Sequence, residues 1–363
     1  MNTSASNSHA VNLLCCGGDH TLALLANGKV VGWGGDGSGR VASDSPEYCS
    51  TFKASAGAVE VRLLQPLVAV TAGYGVSLGI TARNEVAVWG ANAAGIGGRR
   101  DAIALATPQL LTDLTGAHAI VAGEFLFGAI DTAGTVRTWG FNSEGALGRP
   151  TAEINAGPGI IPALPPTSQL AVGKGYMLAL TRDGALYAWG NNAAGQLGLG
   201  HLKSVATPAP LRLPDKIRAI AAGATHTTAL TTEGKVLTWG SNHHGQLGHA
   251  NVAYTASPVT VALPEAVQSI AAGMHFSLAL TASGKVYAWG WNGQGQLGLN
   301  DLADRRVATR IPGLDRVRAI AAGETHAAAM TATALIGWGN NASGQIGAAT
   351  RQQLQPAPFF AFG

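Results

Sequence analysis

The sequence has few charged side chains, and no apolar run in it is long. Only 12% of its 363 residues are charged, and the formal net charge is +3 with the basic residues scattered along the chain. Proteins that bind nucleic acids cluster positive charge to neutralise phosphates, so we expect no nucleic-acid binding. No uninterrupted apolar stretch approaches the ~20 residues that span a bilayer, so we expect no membrane association.

Cysteine is scarce, and its positions indicate neither a disulfide framework nor a metal centre. Cys15, Cys16 and Cys49 are odd in number and lack metal-ligand spacing, which is typical of a protein from a reducing compartment. The first residues lack the basic and apolar regions of a secretory leader. We therefore expect a cytoplasmic protein in which residues 1–10 form a disordered segment before the folded part.

The sequence shows no complete set of catalytic or metal-binding residues. It contains no H-E-x-x-H metalloprotease motif and no phosphate-binding G-x-x-x-x-G-K-[ST] loop. His243, His244, His249 and His275 suggest a metal site because imidazole is a common ligand, but no carboxylate or cysteine completes a set at a fixed spacing. We therefore predict no catalytic residue, no metal and no cofactor, and expect a protein that is not an enzyme.

A tryptophan followed by glycine recurs seven times, about 50 residues apart. The seven are Trp33, Trp89, Trp139, Trp189, Trp239, Trp289 and Trp338. A fixed period of this length indicates stacked copies of one supersecondary unit around a continuous core. The predicted units, all within one domain, are about 11–67, 68–117, 118–168, 169–216, 217–266, 267–316 and 317–363. The first unit carries about six extra residues within 41–61, which we expect to form a surface loop.

Each unit contains three short apolar runs and a fourth run with prolines. In residues 217–248 the first run ends in Ala-Ala-Gly, and the turn Glu233-Gly234 separates the second from a third that ends in Trp-Gly. Glycine supplies the positive φ of a tight hairpin, and proline belongs in an edge strand. Four antiparallel strands per unit predict an all-β, seven-bladed β-propeller. The run 355–363 would be its last strand, so we expect ring closure by packing of the first and last blades.

Two recurring positions that resemble reactive sites are interpreted as structural. Cys15 and Cys16 stand where later units have two alanines, so we interpret them as small apolar residues. His20, His226 and His326 each follow, by three residues, the glycine that ends the first run. A histidine repeated at one position in several blades indicates a shared structural task, such as a hydrogen bond to a neighbouring turn.

The repeated motifs A-A-G-x-x-H, T-x-x-G-K-V-Y-x-W-G and N-x-x-G-Q-L-G resemble the regulator of chromosome condensation repeat family over residues 11–362. The resemblance implies a seven-bladed propeller. Members of this family include exchange factors for a small Ras-like GTPase, ubiquitin-ligase modules, kinase-linked propellers and an inhibitor of β-lactamases, and fold alone does not choose among them. The founding type of exchange factor adds a basic tail and a wedge hairpin in the third blade. Here the third spacing is ordinary, and the corresponding stretch 149–168 is rich in proline and glycine.

The strand order predicts which loops share a face of the propeller. In a meander, the turn after the first strand and the loop after the third emerge on the same side, which we call the top face. The candidate partner-binding residues on it are Asp19, Tyr74, Glu124, Phe125, Glu144, Lys174, Tyr176, His243, His244, His275, Trp291, Gln294 and Glu324. Trp291 is the tryptophan outside the repeat position, and exposed tryptophan is enriched at binding hot spots. The alternative is that Trp291 packs over a neighbouring loop.

These features together predict a non-enzymatic propeller that binds a protein partner through the top face, with Trp291 as an anchor. We expect the protein to be a monomer. The alternative is a guanine-nucleotide exchange factor for a small Ras-like GTPase, which would lower nucleotide affinity by contacting the switch and phosphate-binding loops.

Overall fold

The computed structural model describes residues 11–42, 54–63, 65–92, 104–162 and 164–362. Within these ranges the chain forms 28 β-strands and one short 3-10 turn, Ser143–Gly145. The strands are β1 (Val11–Cys16), β2 (His20–Leu25), β3 (Val30–Gly35), β4 (Ala54–Glu60), β5 (Leu67–Ala72), β6 (Val76–Thr81), β7 (Glu85–Ala91), β8 (Ala104–Thr115), β9 (Ala117–Ala122), β10 (Leu126–Asp131), β11 (Val136–Phe141), β12 (Asn155–Ile160), β13 (Thr167–Val172), β14 (Tyr176–Thr181), β15 (Leu186–Gly190), β16 (Val205–Leu211), β17 (Ile217–Ala222), β18 (His226–Thr231), β19 (Val236–Ser241), β20 (Tyr254–Thr260), β21 (Val267–Ala272), β22 (Phe276–Thr281), β23 (Val286–Gly290), β24 (Arg305–Arg310), β25 (Ala319–Ala322), β26 (His326–Met330), β27 (Ala334–Asn340) and β28 (Gln352–Ala361).

Strands β1–β4 form one antiparallel sheet, and each following group of four strands, up to β25–β28, forms another. These seven sheets are blades 1 to 7 in chain order. The prediction of a seven-bladed β-propeller is confirmed. The first strands of neighbouring blades pack against each other, and β1 of blade 1 contacts β25 and β26 of blade 7. Because each sheet contains only consecutive strands, the ring closes by blade packing, as predicted.

Three predictions concern particular stretches of the chain. The last run does form the fourth strand of blade 7, as β28. Within 41–61, Ala54–Glu60 form the fourth strand of blade 1, and residues 43–53 lie outside the described residues. The predicted disordered segment 1–10 also lies outside the described residues.

Backbone hydrogen bonds join neighbouring blades around the axis, close to the glycine that directly follows each first strand. We call these the inner glycines: Gly17, Gly73, Gly123, Gly173, Gly223, Gly273 and Gly323. Glu324 N of blade 7 donates to Gly17 O of blade 1 at 3.1 Å. A Cβ on Gly17 would lie 2.4 Å from Gly73 O. Close approach of neighbouring backbones therefore requires glycine here.

The repeated tryptophans are buried between blades, and in blades 5 to 7 the indole donates a hydrogen bond to the N-x-x-G-Q-L-G loop of the preceding blade. Trp239 Nε1 of blade 5 donates to Gln196 O in the blade 4 loop at 2.8 Å. Asn192 shapes that loop by accepting a hydrogen bond from Leu197 N at 2.9 Å. A Cβ on Gly198 would lie 2.8 Å from the indole nitrogen of Trp239. The motif therefore forms the seat for the tryptophan of the next blade.

Candidate functional site

The three recurring histidines are buried links between neighbouring blades. Their Nε2 atoms lie within hydrogen-bond distance of a hydroxyl in the next blade: His20 with Ser77 at 2.9 Å, His226 with Ser277 at 3.0 Å, and His326 with Thr21 at 3.0 Å. Burial lowers the pKa of each imidazole to about 3, so all three are neutral near pH 7. The predicted shared structural role is confirmed, with a strand hydroxyl in place of a turn as the partner.

One of these links also has the appearance of a hydrolase site, because residues 75–79 read G-x-S-x-G around Ser77. A nucleophile elbow exposes its serine on a sharp turn between a strand and a helix. Ser77 is instead fully buried within β6, and its hydroxyl donates to Arg40 O at 2.8 Å. Since that proton is committed to a carbonyl, His20 is the donor to Ser77 and cannot act as its base. The pair is structural.

Tyr176 does not lie on the top face, so its inclusion among the binding residues is wrong. Its side chain is fully buried at the blade 4 position that corresponds to His226 in blade 5. The phenol donates to His226 O at 2.6 Å, and it lies 3.2 Å from Thr227 Oγ1, which donates to Gln196 O at 2.8 Å. Burial raises its pKa. In the sequence, Tyr176 follows Gly173 by three residues, just as His226 follows Gly223, and this shared spacing indicates the buried role.

The residues that directly follow the inner glycines surround an opening at the propeller axis, which we call the axial mouth. It consists of Gly18, Tyr74, Glu124, Lys174, Ala224, Met274 and Glu324. Below it lies a cavity of about 140 Å³ with walls of alanine, glycine, Cys16 and Val172. Lys174 Nζ lies 3.4 Å from Glu124 Oε2. The structure thus brings four of the predicted binding residues together, and adds Met274.

The charges at the axial mouth are not balanced. Glu324 is half-buried and has no ion-pair partner among the described residues. Burial raises the pKa of its carboxyl, the negative charges of Glu124 and Asp19 raise it further, and the positive charge of Lys174 lowers it. Asp19 itself is paired with Arg40. The charge of Glu324 is also the main cause of the raised pKa of Tyr74.

Three large apolar side chains run outward from the axial mouth across the top of blade 3, and we call them the blade 3 stripe. Phe125, Phe141 and Ile154 are 43%, 40% and 67% exposed. They are neighbours because Phe141 N donates to Phe125 O at 2.7 Å and Asn142 N donates to Ile154 O at 2.7 Å. Glu144 is exposed in the adjoining loop. Sequence reasoning identified Phe125 but missed Phe141, although Phe141 stands where blade 6 has Trp291.

Trp291 is held in a cluster between blades 5 and 6. Its ring centroid lies 6.1 Å from that of His244, which lies 5.6 Å from that of His275. His244 Nδ1 is 2.9 Å from Asp304 Oδ2. Burial lowers the pKa of His275, and the nearby His244 lowers it further. Trp291 is half-buried, and it packs against the loop of the preceding blade while remaining at the surface.

The other two predicted residues of this region lie in the same pair of loops. His243 is exposed, and its carbonyl accepts a hydrogen bond from Arg306 Nη2 at 3.3 Å. Gln294 is half-buried, and its backbone nitrogen donates to Gln296 Oε1 at 2.9 Å. Across the described ranges, no three or more His, Cys, Asp or Glu side chains are grouped so that they could hold a metal ion.

The bottom face, opposite the top face, has short turns with paired charges. Lys235 Nζ lies 2.7 Å from Glu233 Oε2, and Lys29 Nζ lies 2.8 Å from Glu60 Oε1. The part of the chain that the structure describes contains no helix with the length and apolarity needed to cross a bilayer.

Solved structures similar to this chain share its architecture. Human WBSCR16 has 23% sequence identity and a TM-score of 0.80, with 91% of this chain and 92% of that chain covered. Prp20p from Saccharomyces cerevisiae, described with its binding properties to Gsp1p and histones, has 24% identity and a TM-score of 0.77, covering 86% and 80%. Yeast Prp20 in its complex with Kap60 has 21% identity and a TM-score of 0.78, covering 99% and 88%. No curated protein sequence matches the chain.

Family models of the regulator of chromosome condensation (RCC1) repeat match the sequence itself. One matches residues 183–230, 233–280 and 283–330, and a second matches 11–40, 168–196, 217–246 and 267–296. Together the matches cover 11–40 and 168–330, which is more than half of the chain. With seven blades and with the N-x-x-G-Q-L-G loops seating the tryptophans, this chain belongs to the regulator of chromosome condensation (RCC1) repeat family.

Proposed function

We propose that the protein is a non-enzymatic propeller that docks a protein partner on its top face. The observation that carries this proposal is the blade 3 stripe, in which three large apolar side chains are exposed side by side. At the position of Phe141, four of the other blades have Ala91, Asn191, Ser241 and Asn340. Apolar side chains grouped at a surface are typical of interaction sites, and aromatic ones are enriched among hot spots.

The absence of an enzymatic role is supported by the surroundings of the reactive side chains. The serine and histidine pairs are buried between blades. Each serine hydroxyl donates to a backbone carbonyl, and each histidine Nε2 donates to the serine. The thiols of Cys15 and Cys16 are unpaired, and burial raises the pKa of both, that of Cys16 to about 12. A thiol with such a pKa stays protonated and is a poor nucleophile.

The test is capture from a lysate of the source organism on three immobilised proteins: wild type, Phe141→Ala and Ile160→Ala. Ile160 is 50% exposed at the bottom end of β12 in the same blade, so it is a matched control. We expect a partner that is captured by wild type and Ile160→Ala and is lost with Phe141→Ala, as measured by quantitative mass spectrometry. A set of captured proteins that does not differ among the three would contradict the proposal.

A second candidate function is nucleotide exchange on a small GTPase. It is supported by the structural similarity to Prp20p, which is described with its binding to Gsp1p. The founding type of exchange factor has a wedge hairpin in its third blade, whereas residues 155–160 of this chain form the ordinary edge strand β12 of that blade. If the captured partner is a GTPase, release of a fluorescent GDP analogue from it should accelerate with wild type and not with Phe141→Ala. An unchanged release rate would leave only the binding function.

A further inference from the structure

The axial mouth and the blade 3 stripe are continuous, because Glu124 and Phe125 are consecutive residues. Moving outward from the axis, a partner would meet first carboxylates and an aromatic ring, and then three apolar side chains. Apolar contact supplies affinity without selecting a charge. The charge of the axial mouth therefore decides which apolar segment fits.

Three carboxylates lie close enough to affect one another at this opening. Asp19 is neutralised by Arg40, and Glu124 by Lys174 at 3.4 Å. Glu324 is left without an ion pair among the described residues and is half-buried. A half-buried carboxylate without an ion pair has lost part of its hydration at a cost in free energy, which a cation placed beside it would relieve.

Tyr74 supplies a second feature that suits a cation. It is 48% exposed, and its ring lies over Gly18, where an added Cβ would be 3.0 Å from a ring carbon. The ring thus lies over blade 1, whose Gly17 O accepts a hydrogen bond from Glu324 N of blade 7 at 3.1 Å. The face of an aromatic ring attracts ammonium and guanidinium groups, and a nearby carboxylate adds to that attraction.

We propose that the top face binds a partner loop in which a lysine or arginine is flanked by apolar side chains. The basic side chain contacts Glu324 and Tyr74 at the axial mouth, and the apolar neighbours pack on the blade 3 stripe. Lysine and arginine combine an aliphatic stem with a charged head, which matches an opening with alanine walls and a charged rim. This inference rests on the proposed function and specifies the chemistry of the partner.

The probe is a phage-displayed library of random 12-residue peptides, selected on the immobilised full-length protein. We expect enrichment of peptides with a basic residue next to aromatic or aliphatic residues. A synthetic peptide from that pool should bind Glu324→Gln roughly tenfold more weakly, because one partner of a charge pair is lost. Replacing its basic residue by citrulline should have a similar effect on wild type and little effect on Glu324→Gln.

The matched control is Glu233→Gln, which removes the same charge from the bottom face. It should bind the peptide like wild type. Glu324→Gln should be at least as thermostable as wild type, since it removes a half-buried charge without an ion pair, so weaker binding would not reflect unfolding.

Three outcomes would overturn the inference: no enrichment, enrichment of acidic or uncharged peptides, or equal affinities for Glu324→Gln and wild type. The proposed function has its own test, because partner capture that depends on Phe141 would still support protein binding. Capture of the same proteins by wild type and by Phe141→Ala would instead count against the function itself.

Discussion

The interior of the ring and its top face use residues only one or two positions apart along the chain, and they follow different rules. The third residue after each inner glycine is buried against the next blade, as His226 is. In blades 3 to 7 the first two residues after the glycine lie at the surface, as Glu124 and Phe125 do. In the interior, neighbouring blades are matched to each other, whereas on the top face each blade differs from the next.

The matching in the interior covers all seven blade interfaces. Four pairs are polar: His20 with Ser77, Tyr176 with Thr227, His226 with Ser277, and His326 with Thr21. The other three pairs join apolar residues in shared buried clusters: Val76 with Phe127, Leu126 with Met177, and Phe276 with Ala327. No polar side chain faces an apolar one, since a buried polar group without a partner costs about 1–3 kcal/mol.

The difference shows that residues with catalytic chemistry can be purely architectural in this chain. Histidine, serine and tyrosine recur in register because an interface needs both members of a pair. The residues of the blade 3 stripe have no equivalent set in the other blades, and they are exposed. The exposed residues that depart from the repeat are therefore the candidates for function.

The largest expected effect is acid destabilisation of the interior. The unfolded chain binds a proton at each histidine near pH 6.5, whereas the buried imidazoles of His20, His226 and His326 do so only near pH 3. Stability is thus complete above about pH 6.5 and is lost as the pH falls toward 3, by up to about 1.4 kcal/mol per pH unit for each histidine. Urea unfolding between pH 7 and pH 5 measures this. Stability independent of pH over that range would show that these histidines are not buried in neutral form.

Removal of a repeated tryptophan should come next. Trp239→Ala should cost roughly 3–5 kcal/mol, because it leaves a cavity between blades 4 and 5 and deprives Gln196 O of a donor. Chemical denaturation measures the loss. An unchanged unfolding midpoint would contradict the burial of this side chain.

The matched pairs can be tested by breaking one and then converting it. Ser277→Ala leaves the Nε2 hydrogen of His226 without an acceptor and should cost about 1–3 kcal/mol. The double change His226→Phe with Ser277→Ala imitates the apolar pair of blades 6 and 7, and it should recover most of that loss. It should also remove the contribution of one buried histidine to the loss of stability at low pH. A double variant less stable than Ser277→Ala would show that the matching is not what stabilises the interface.

Replacement of both Cys15 and Cys16 by alanine should have the smallest effect on the interior. Blades 5 to 7 carry Ala-Ala at this place, and both thiols are unpaired. Folding and partner binding should be nearly unaltered, as measured by thermal unfolding and by capture. Loss of partner binding would restore a redox role for the pair.

The repeat made the interior predictable from sequence, and the surface much less so. The period of the tryptophans, the strand runs and the recurring histidines all follow from what a blade must bury. Tyr176 was misplaced because the hydrogen bonds that hold its phenol inside cannot be seen in the sequence. Phe141 and Ile154 could not be singled out, since their exposure depends on how the loops of blade 3 leave them uncovered. The burial of Trp291 likewise depends on His244 in another blade.

The most direct test of the account is the affinity of a captured partner for Phe141→Ala, compared with wild type and Ile160→Ala. We expect Phe141→Ala to weaken binding by roughly 2 kcal/mol, about 30-fold, as at an interface hot spot. Its own stability should fall by less than about 1 kcal/mol, because the side chain is largely at the surface. Ile160→Ala should bind like wild type. Equal losses at both positions, or full affinity in Phe141→Ala, would contradict a docking site on the top face.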